Sequence, residues 1–140
     1  MALRLEKNWG PLTLDFSPDF TAAESGLDAF INWDKEFVGK KAAQDEKKQG
    51  VKKKLVTMTI DTKDIDVTND EAILKDDKCV GYITSGGYAH HVKKSMALGY
   101  VPAELSKHDT TLEVEINGKL YTAHVTDKPL YDSNGGKMRS

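Results

Sequence analysis

Cysteine and long apolar runs are almost missing from this sequence, and each absence narrows the class of protein. Cys79 is the only cysteine among 140 residues, which excludes an internal disulfide and is typical of a reducing compartment. No apolar run approaches the ~20 residues that a membrane helix needs. The start of the chain also lacks the apolar segment of a signal peptide. We therefore predict a cytoplasmic protein with no membrane partner.

An excess of charge of either sign is lacking as well. The sequence has 20 lysines and arginines against 22 aspartates and glutamates, a formal net charge of −2. That balance creates no strong field to recruit nucleic acid or an anionic membrane, so we predict no nucleic-acid partner. Hydrophobic residues make up 39% and charged residues 30%, as in ordinary soluble domains.

Recognisable catalytic and metal-binding motifs are also missing. The sequence contains no P-loop, dinucleotide-binding fingerprint or paired C-x-x-C motif. His90 and His91 are adjacent, so on an extended strand their rings point to opposite faces, and no nearby histidine or cysteine completes a metal site. The Thr-Ser-Gly segment at 84–86 lacks the spacing of a hydrolase nucleophile elbow. We therefore predict no catalytic residue and no metal site, and we predict a buried structural thiol at Cys79.

What the sequence does contain, from residue 51 onwards, is a series of short strand patterns. Residues 55–60 and 112–116 alternate apolar and polar side chains, as half-buried antiparallel strands do. Asn117-Gly118 matches a type I′ hairpin turn that leads into a return strand at 120–125. A second hairpin turn is predicted at 75–78. Short strands at this spacing favour a small antiparallel barrel.

The stretch from Gly81 to Pro102 contains two further predicted strands and the connection between them. Its sequence predicts a strand, a break at Gly86 and Gly87, a polar crossing and a second strand over 96–101. Pro102 lacks a backbone donor and is therefore expected to end the second strand.

Residues 1–50 predict one further strand and two helices. Leu3 and Leu5 alternate with charged residues, which predicts a strand. Residues 21–31 begin with a capping-box pattern and are predicted to be helical. A second helix is predicted over 39–49, ended by Gly50 in left-handed geometry. The predicted fold class is therefore α+β and mainly β: a six- or seven-stranded antiparallel barrel preceded by a strand and two helices.

Several of these segments resemble one family. Residues 81–102 contain the pattern G-x-I-T-S-G followed by S-x-A-L-G-Y-V-P. This pattern resembles the C-terminal barrel domain of the folate-dependent aminomethyltransferases, which include the glycine cleavage T-protein and the folate domains of dimethylglycine and sarcosine dehydrogenases. Residues 3–7, 21–27 and 34–42 resemble further motifs of that superfamily, and Lys7 resembles the dehydrogenase branch.

The resemblance implies a division of the chain and a cofactor. Residues 1–50 are expected to be the C-terminal edge of a folate-binding domain, 51–132 the C-terminal antiparallel barrel domain, and 133–140 a loose tail. The implied cofactor of the intact family is tetrahydrofolate. The family's catalytic aspartate and any FAD-binding half lie in N-terminal portions that this sequence does not match. The chain alone is therefore predicted not to be catalytic.

Arg4 and Glu6 are the candidate cofactor-binding residues. On a strand their side chains share one face, where a guanidinium and a carboxylate suit the edge of a pterin ring. A local or cross-strand ion pair is the alternative interpretation. The basic run at 52–54 is likewise either a solvated strand end or a contact for phosphate or polyglutamate.

Two classes of function remain open at this point. In the first, the chain is the C-terminal part of an aminomethyltransferase-like protein, with the missing N-terminal folate or FAD portion as its partner. Self-association through the exposed strand near Arg4 is expected in that case. In the second, it is a free-standing barrel module that binds a small ligand or a protein through residues 84–94, without enzymatic activity.

Overall fold

A computed structural model describes residues 2–140, except for the side chain of Met138. Its centre is a closed barrel of six antiparallel strands in the order β1-β4-β3-β2-β5-β6, which confirms the predicted mainly β class. The strands are β1 (Lys53–Ile60), β2 (Ala72–Lys75), β3 (Lys78–Ala89), β4 (Lys94–Pro102), β5 (Thr111–Ile116) and β6 (Lys119–Thr126).

The barrel interior holds the hydrophobic core that the alternating pattern predicted. Met58, Ile73, Ile83 and Val114 are among its fully buried side chains. In β1, Thr57 lies between Val56 and Met58 and points to the outer face of the barrel. It is buried too, so this face of the strand is covered rather than left to solvent. Burial on both faces therefore distinguishes β1 from the half-buried strand β5.

Both predicted hairpin turns are confirmed. Asp76 and Asp77 have φ values of 51° and 60°, and Asn117 and Gly118 have values of 49° and 74°. Two consecutive residues with positive φ define the type I′ turn, whose twist matches that of the flanking strands.

The predicted break at Gly86 and Gly87 is wrong, because β3 continues through both residues to Ala89. Gly86 is instead a point of close approach: a Cβ there would lie 2.5 Å from the carbonyl oxygen of Val67, which crosses the strand. The chain turns only at residues 90–93, before β4. The glycine is needed for packing, which local sequence patterns do not distinguish from a turn.

The predicted strand at Leu3 and Leu5 is also wrong. Residues 2–6 form helix α1 (Ala2–Glu6), and every residue in it is a good helix former. Leu5 and Glu6 are both fully buried, whereas neighbouring residues on a strand would point to opposite faces. Alternation over so short a segment therefore does not distinguish the two-residue period of a strand from the period of a helix.

The helix predicted over 21–31 is replaced by turns and a 3₁₀ helix at Asp28–Phe30. The capping exchange nevertheless forms: the amide of Glu24 donates to Thr21 Oγ1 at 3.2 Å, and the amide of Thr21 donates to Glu24 Oε2 at 3.1 Å. Gly26, with φ of 71°, interrupts helical geometry after one turn.

The second predicted helix is confirmed as α2 (Lys40–Gln49). Gly50 ends it with φ of 85° but ψ of 156°, so the predicted left-handed geometry at this end is wrong. Cys79 is exposed rather than buried, because it follows the β2–β3 turn, where the hairpin leaves the core. A short helix, α3 (Gly136–Arg139), lies in the segment predicted as a tail. Within residues 2–140, no helix combines the length and hydrophobicity needed to cross a bilayer.

Candidate functional site

A fully buried carboxylate, Asp15, joins the N-terminal segment to the barrel. Its Oδ2 atom lies 3.1 Å from Nη1 of Arg4 and accepts a hydrogen bond from Ser85 Oγ at 2.8 Å. Thr84 Oγ1 donates to the other carboxylate oxygen. Nη2 of Arg4 donates to Ser85 Oγ at 3.0 Å. Charge-assisted hydrogen bonds of this kind are the strong ones in proteins, so the cluster fixes α1 against β3.

Tyr100 extends this cluster from β4. Its hydroxyl donates to the backbone carbonyl oxygen of Asp15 at 2.8 Å and lies 2.7 Å from Ser25 Oγ. The ring of Phe20 stacks on the Tyr100 ring. Burial raises the pKa of Tyr100 above its ordinary value, and the nearby charge of Asp15 raises it further. The phenol therefore stays protonated at neutral pH and remains a donor.

A second buried carboxylate, Glu6, holds the turn between β3 and β4. Its Oε1 accepts the backbone amide of His91 at 2.7 Å, and its Oε2 lies 2.9 Å from Nδ1 of the same residue. The carbonyl oxygen of Glu6 accepts the amide of Tyr131. Next to it, Lys7 donates to the carbonyl oxygen of Asp132 at 2.6 Å. Helix α1 thus connects the β3–β4 turn to the C-terminal segment.

Asp132 itself belongs to this C-terminal contact. Partial burial alone would raise its pKa, but the backbone amide of Lys137 and the ammonium group of Lys7 lower the pKa of Asp132 below the ordinary value of aspartate. The carboxylate is therefore charged at neutral pH and supports the attachment of residues 131–137 to α1.

The structure does not place Arg4 and Glu6 on one face of a strand. On helix α1, Arg4 reaches Asp15 and Ser85 while Glu6 reaches His91. Both groups make contacts within the chain, as the alternative ion-pair interpretation describes. Their binding of a cofactor stays a prediction.

Asp15 was missed by sequence reasoning, although it is the centre of the cluster. It lies 69 residues before Thr84 in the chain, and no local pattern connects the two. The signal available was the Thr84-Ser85 pair on a strand, whose hydroxyls need a partner once they are buried.

A surface of exposed apolar side chains lies on the N-terminal segment. Trp9, Leu12 and Phe30 are 51%, 76% and 73% exposed, and the rings of Trp9 and Phe30 meet edge to face at 6.2 Å. Together with Pro11, Phe16 and Leu27 they line a groove of about 550 Å³, called here the apolar groove. Contiguous apolar surface of this kind is typical of interaction sites.

Two further histidines each lie beside a single carboxylate. Nδ1 of His108 lies 3.2 Å from Asp127, and Nε2 of His124 lies 3.4 Å from Asp61. In the described part of the chain, no three histidine, cysteine, aspartate or glutamate residues are grouped as a metal site requires.

Replacing Glu6 with alanine is expected to release the β3–β4 turn. The change removes the acceptor of the His91 amide and ring, so the free energy of unfolding should fall by about 1–3 kcal/mol. Hydrogen exchange of the His91 amide should accelerate by more than global unfolding explains. Glu36→Ala is the control, because that side chain is exposed and pairs with Lys40, its neighbour on the surface. Unchanged exchange at His91 would contradict the assigned contact.

Comparison with known proteins assigns this fold. A model of the glycine cleavage T-protein C-terminal barrel domain matches residues 53–132. The chain is 40% identical over 131 residues to mitochondrial dimethylglycine dehydrogenase of Homo sapiens, covering 92% of this chain and 15% of that protein. It is 37% identical over 133 residues to an aminomethyltransferase of Synechocystis sp., covering 94% of this chain and 36% of that protein.

A solved structure shows the same fold. The glycine cleavage system aminomethyltransferase T of Bartonella henselae matches with a TM-score of 0.87 and 24% identity, over 94% of this chain and 38% of that one. The chain thus spans 15% of the length of one of these relatives and 36% of the other. Because a model of that domain matches residues 53–132, the chain belongs to the family of the glycine cleavage T-protein C-terminal barrel domain.

Proposed function

We propose that this chain is the C-terminal unit of an aminomethyltransferase-like protein. In that protein, one-carbon groups are transferred with tetrahydrofolate, as in the glycine cleavage and dimethylglycine dehydrogenase type of reaction. By itself the chain is not catalytic. The observation that carries the proposal is the apolar groove, exposed beside a domain whose relatives are several times longer.

The groove is the surface for the partner. Leu12 and Phe30 are more than two-thirds exposed, and leaving apolar area of this kind in water is unfavourable. Covering it with the N-terminal folate or FAD portion of the protein removes that cost. Self-association of the chain in the absence of that portion would use the same groove, since α1 presents no free strand near Arg4.

The chemistry of the described residues supports a non-catalytic unit. The two buried carboxylates, Asp15 and Glu6, are occupied by donors from within the chain. A general base needs access to the proton that it removes, and neither group is accessible to a substrate. The reacting groups are therefore supplied by the other portion of the protein.

A free-standing binding module that uses residues 84–94 has less support. Residues 84–89 belong to β3, and His91 in the remaining turn is held by Glu6. The segment is therefore a fixed part of the barrel rather than an open binding loop.

A chimera tests the proposal. In dimethylglycine dehydrogenase of Homo sapiens, the segment that matches this chain is replaced by the chain, and transfer of a one-carbon group from dimethylglycine to tetrahydrofolate is measured. We expect the chimera to be active and the purified chain alone to be inactive. Phe30→Asp in the apolar groove should abolish the activity, because a charge cannot be buried there unpaired.

Leu120→Asp is the matched control, since Leu120 is 48% exposed on β6 and lies outside the groove. It should leave the chimera active. Turnover by the chain alone, or full activity of the Phe30→Asp chimera, would overturn the proposal.

A further inference from the structure

A cavity separate from the apolar groove lies between helix α2 and residues 21–33. Its volume is about 380 Å³, which is within the usual range for small-molecule sites. Ala42 and Ala43 of α2 form one wall, and Ala23, Ile31 and Trp33 form the other. The described residues that line it are mostly apolar, and none of them belongs to the apolar groove or to a barrel strand. The cavity is thus an apolar space of its own, with room for a ring.

Contacts within the chain join the two walls. The hydroxyl of Thr21 donates to Oε1 of Glu46 at 2.9 Å. Nζ of Lys47 lies 4.9 Å from the centre of the Trp33 ring, an attraction between a cation and an aromatic face. Both contacts connect α2 to the segment opposite, so the cavity is formed without a ligand.

One charged group in the lining has no partner. Asp28, Glu46 and Lys47 are the charged side chains at the cavity, and the last two make the contacts just given. The carboxylate of Asp28 is half-buried, yet it makes no hydrogen bond or ion pair within residues 2–140. A charge beside apolar surface is costly unless it is paired. Asp28 is therefore free to bind a cation from outside the chain.

The backbone fixes Asp28 next to the apolar lining. Asp28 is the first residue of the 3₁₀ helix at Asp28–Phe30. Its carbonyl oxygen accepts the amide of Ile31 at 3.2 Å, and both residues line the cavity. A single turn thus presents a carboxylate and an apolar side chain together, an arrangement that suits a ligand with one charged end and one apolar end.

The charges at the cavity favour a cationic ligand over an anionic one. Two carboxylates, those of Asp28 and Glu46, line it against the single ammonium group of Lys47. An anion would lie beside Asp28 without compensation, whereas an ammonium group there forms a charge-assisted hydrogen bond. The ring of Trp33 also attracts cations, as the position of Lys47 shows.

We propose that this cavity binds a small organic amine whose ammonium group pairs with the carboxylate of Asp28. The apolar part of the amine packs against Ile31, Trp33 and Ala43. This inference does not depend on the proposed function, because the cavity is formed within the described chain and shares no lining residue with the apolar groove.

The probes are 2-phenylethylamine and 2-phenylethanol, since they share ring and length but only the amine is charged. Each is titrated into the isotope-labelled chain and followed by NMR. We expect the amine to shift the indole signal of Trp33 and the amide of Ala43, and to bind about tenfold more tightly than the alcohol. Equal affinities, or shifts that leave the cavity signals unchanged, would overturn the proposal.

Two changes of charge should act in opposite directions on the amine. Asp28→Asn keeps the shape but removes the charge, so the amine should bind about tenfold more weakly while the alcohol is unaffected. Lys47→Gln removes a like charge, so the amine should bind about threefold more tightly. Asp77→Asn is the control, since it removes the same charge in the β2–β3 turn, where asparagine tolerates the φ of 60°. An Asp28→Asn variant that binds the amine as the Asp77→Asn variant does would refute the assigned contact.

Ala43→Leu tests the position of the apolar part. Leucine is a good helix former, and its side chain would occupy the cavity from the α2 wall. Both probes should then bind more than tenfold more weakly, with the circular dichroism spectrum of the folded chain retained. Unchanged binding of both probes by this folded variant would place them elsewhere and overturn the proposal.

Discussion

Asp15→Ala should lower the free energy of unfolding by about 3–5 kcal/mol, the usual cost of removing one partner of a buried ion pair. The substitution leaves the guanidinium of Arg4 without its carboxylate and removes the acceptor of both Thr84 and Ser85. Thr84 Oγ1 keeps the carbonyl oxygen of Leu98 as an acceptor at 3.2 Å, but each of the three donors loses a charge-assisted hydrogen bond. Urea denaturation followed by circular dichroism measures the change as a lower midpoint.

Asp15→Asn separates the effect of the charge on stability from the effect of side-chain volume. An amide keeps the volume but turns one acceptor oxygen into a donor, which then faces other donors. We expect a loss smaller than that of Asp15→Ala but still above about 1 kcal/mol. The control is Asp19, which is exposed and accepts a hydrogen bond from Ser17 Oγ; Asp19→Ala should cost less than about 0.5 kcal/mol. Equal midpoints for the Asp15 and Asp19 variants would refute the buried cluster.

Gly81→Ala is the second change with a large expected effect. A Cβ at Gly81 would lie 1.9 Å from the carbonyl oxygen of Tyr100, far inside van der Waals contact. The clash is with backbone, so no rotamer change relieves it, and β3 must move away from β4. We expect a loss of about 3 kcal/mol or more, measured as a lower midpoint in urea.

The matched glycine is Gly136, at the start of α3. A Cβ there would lie 3.7 Å from Asp132 Oδ1, which is an ordinary contact. Gly136→Ala should change the stability by less than about 0.5 kcal/mol. A Gly81→Ala variant as stable as Gly136→Ala would show that β3 and β4 are not paired as described.

The barrel was predictable because its signals are local. The sequences of β1 and β5 alternate, and the turn at Asn117-Gly118 needs no distant partner to be recognised. Helix α2 was found for the same reason. These elements are determined by residues close together in the chain, so their pattern is visible in a single sequence.

The N-terminal segment was less predictable because tertiary contacts decide its structure. Leu5 and Glu6 are both buried against β3 and the turn that follows it, so the segment is helical where alternation predicted a strand. Gly86 in β3 reflects the close approach of Val67. Neither contact can be predicted from the neighbouring residues in the sequence.

The candidate site was predictable only in part. Arg4 and Glu6 were identified as important positions, but their partners, Asp15 and His91, were not. A charged residue that becomes buried requires a partner, yet the sequence does not say which residue provides it.

Closure of the barrel also determines where the chain enters and leaves it. Thr57 in β1 pairs with Thr126 in β6, and Ile60 pairs with Ala123. Since these strands are antiparallel, the chain enters and leaves the barrel at the same rim. A unit with both ends at one rim can be transferred between polypeptides of very different size without rearranging its interior. The segment that matches this chain forms 15% of one relative and 36% of another, so the same unit is found in proteins of very different length.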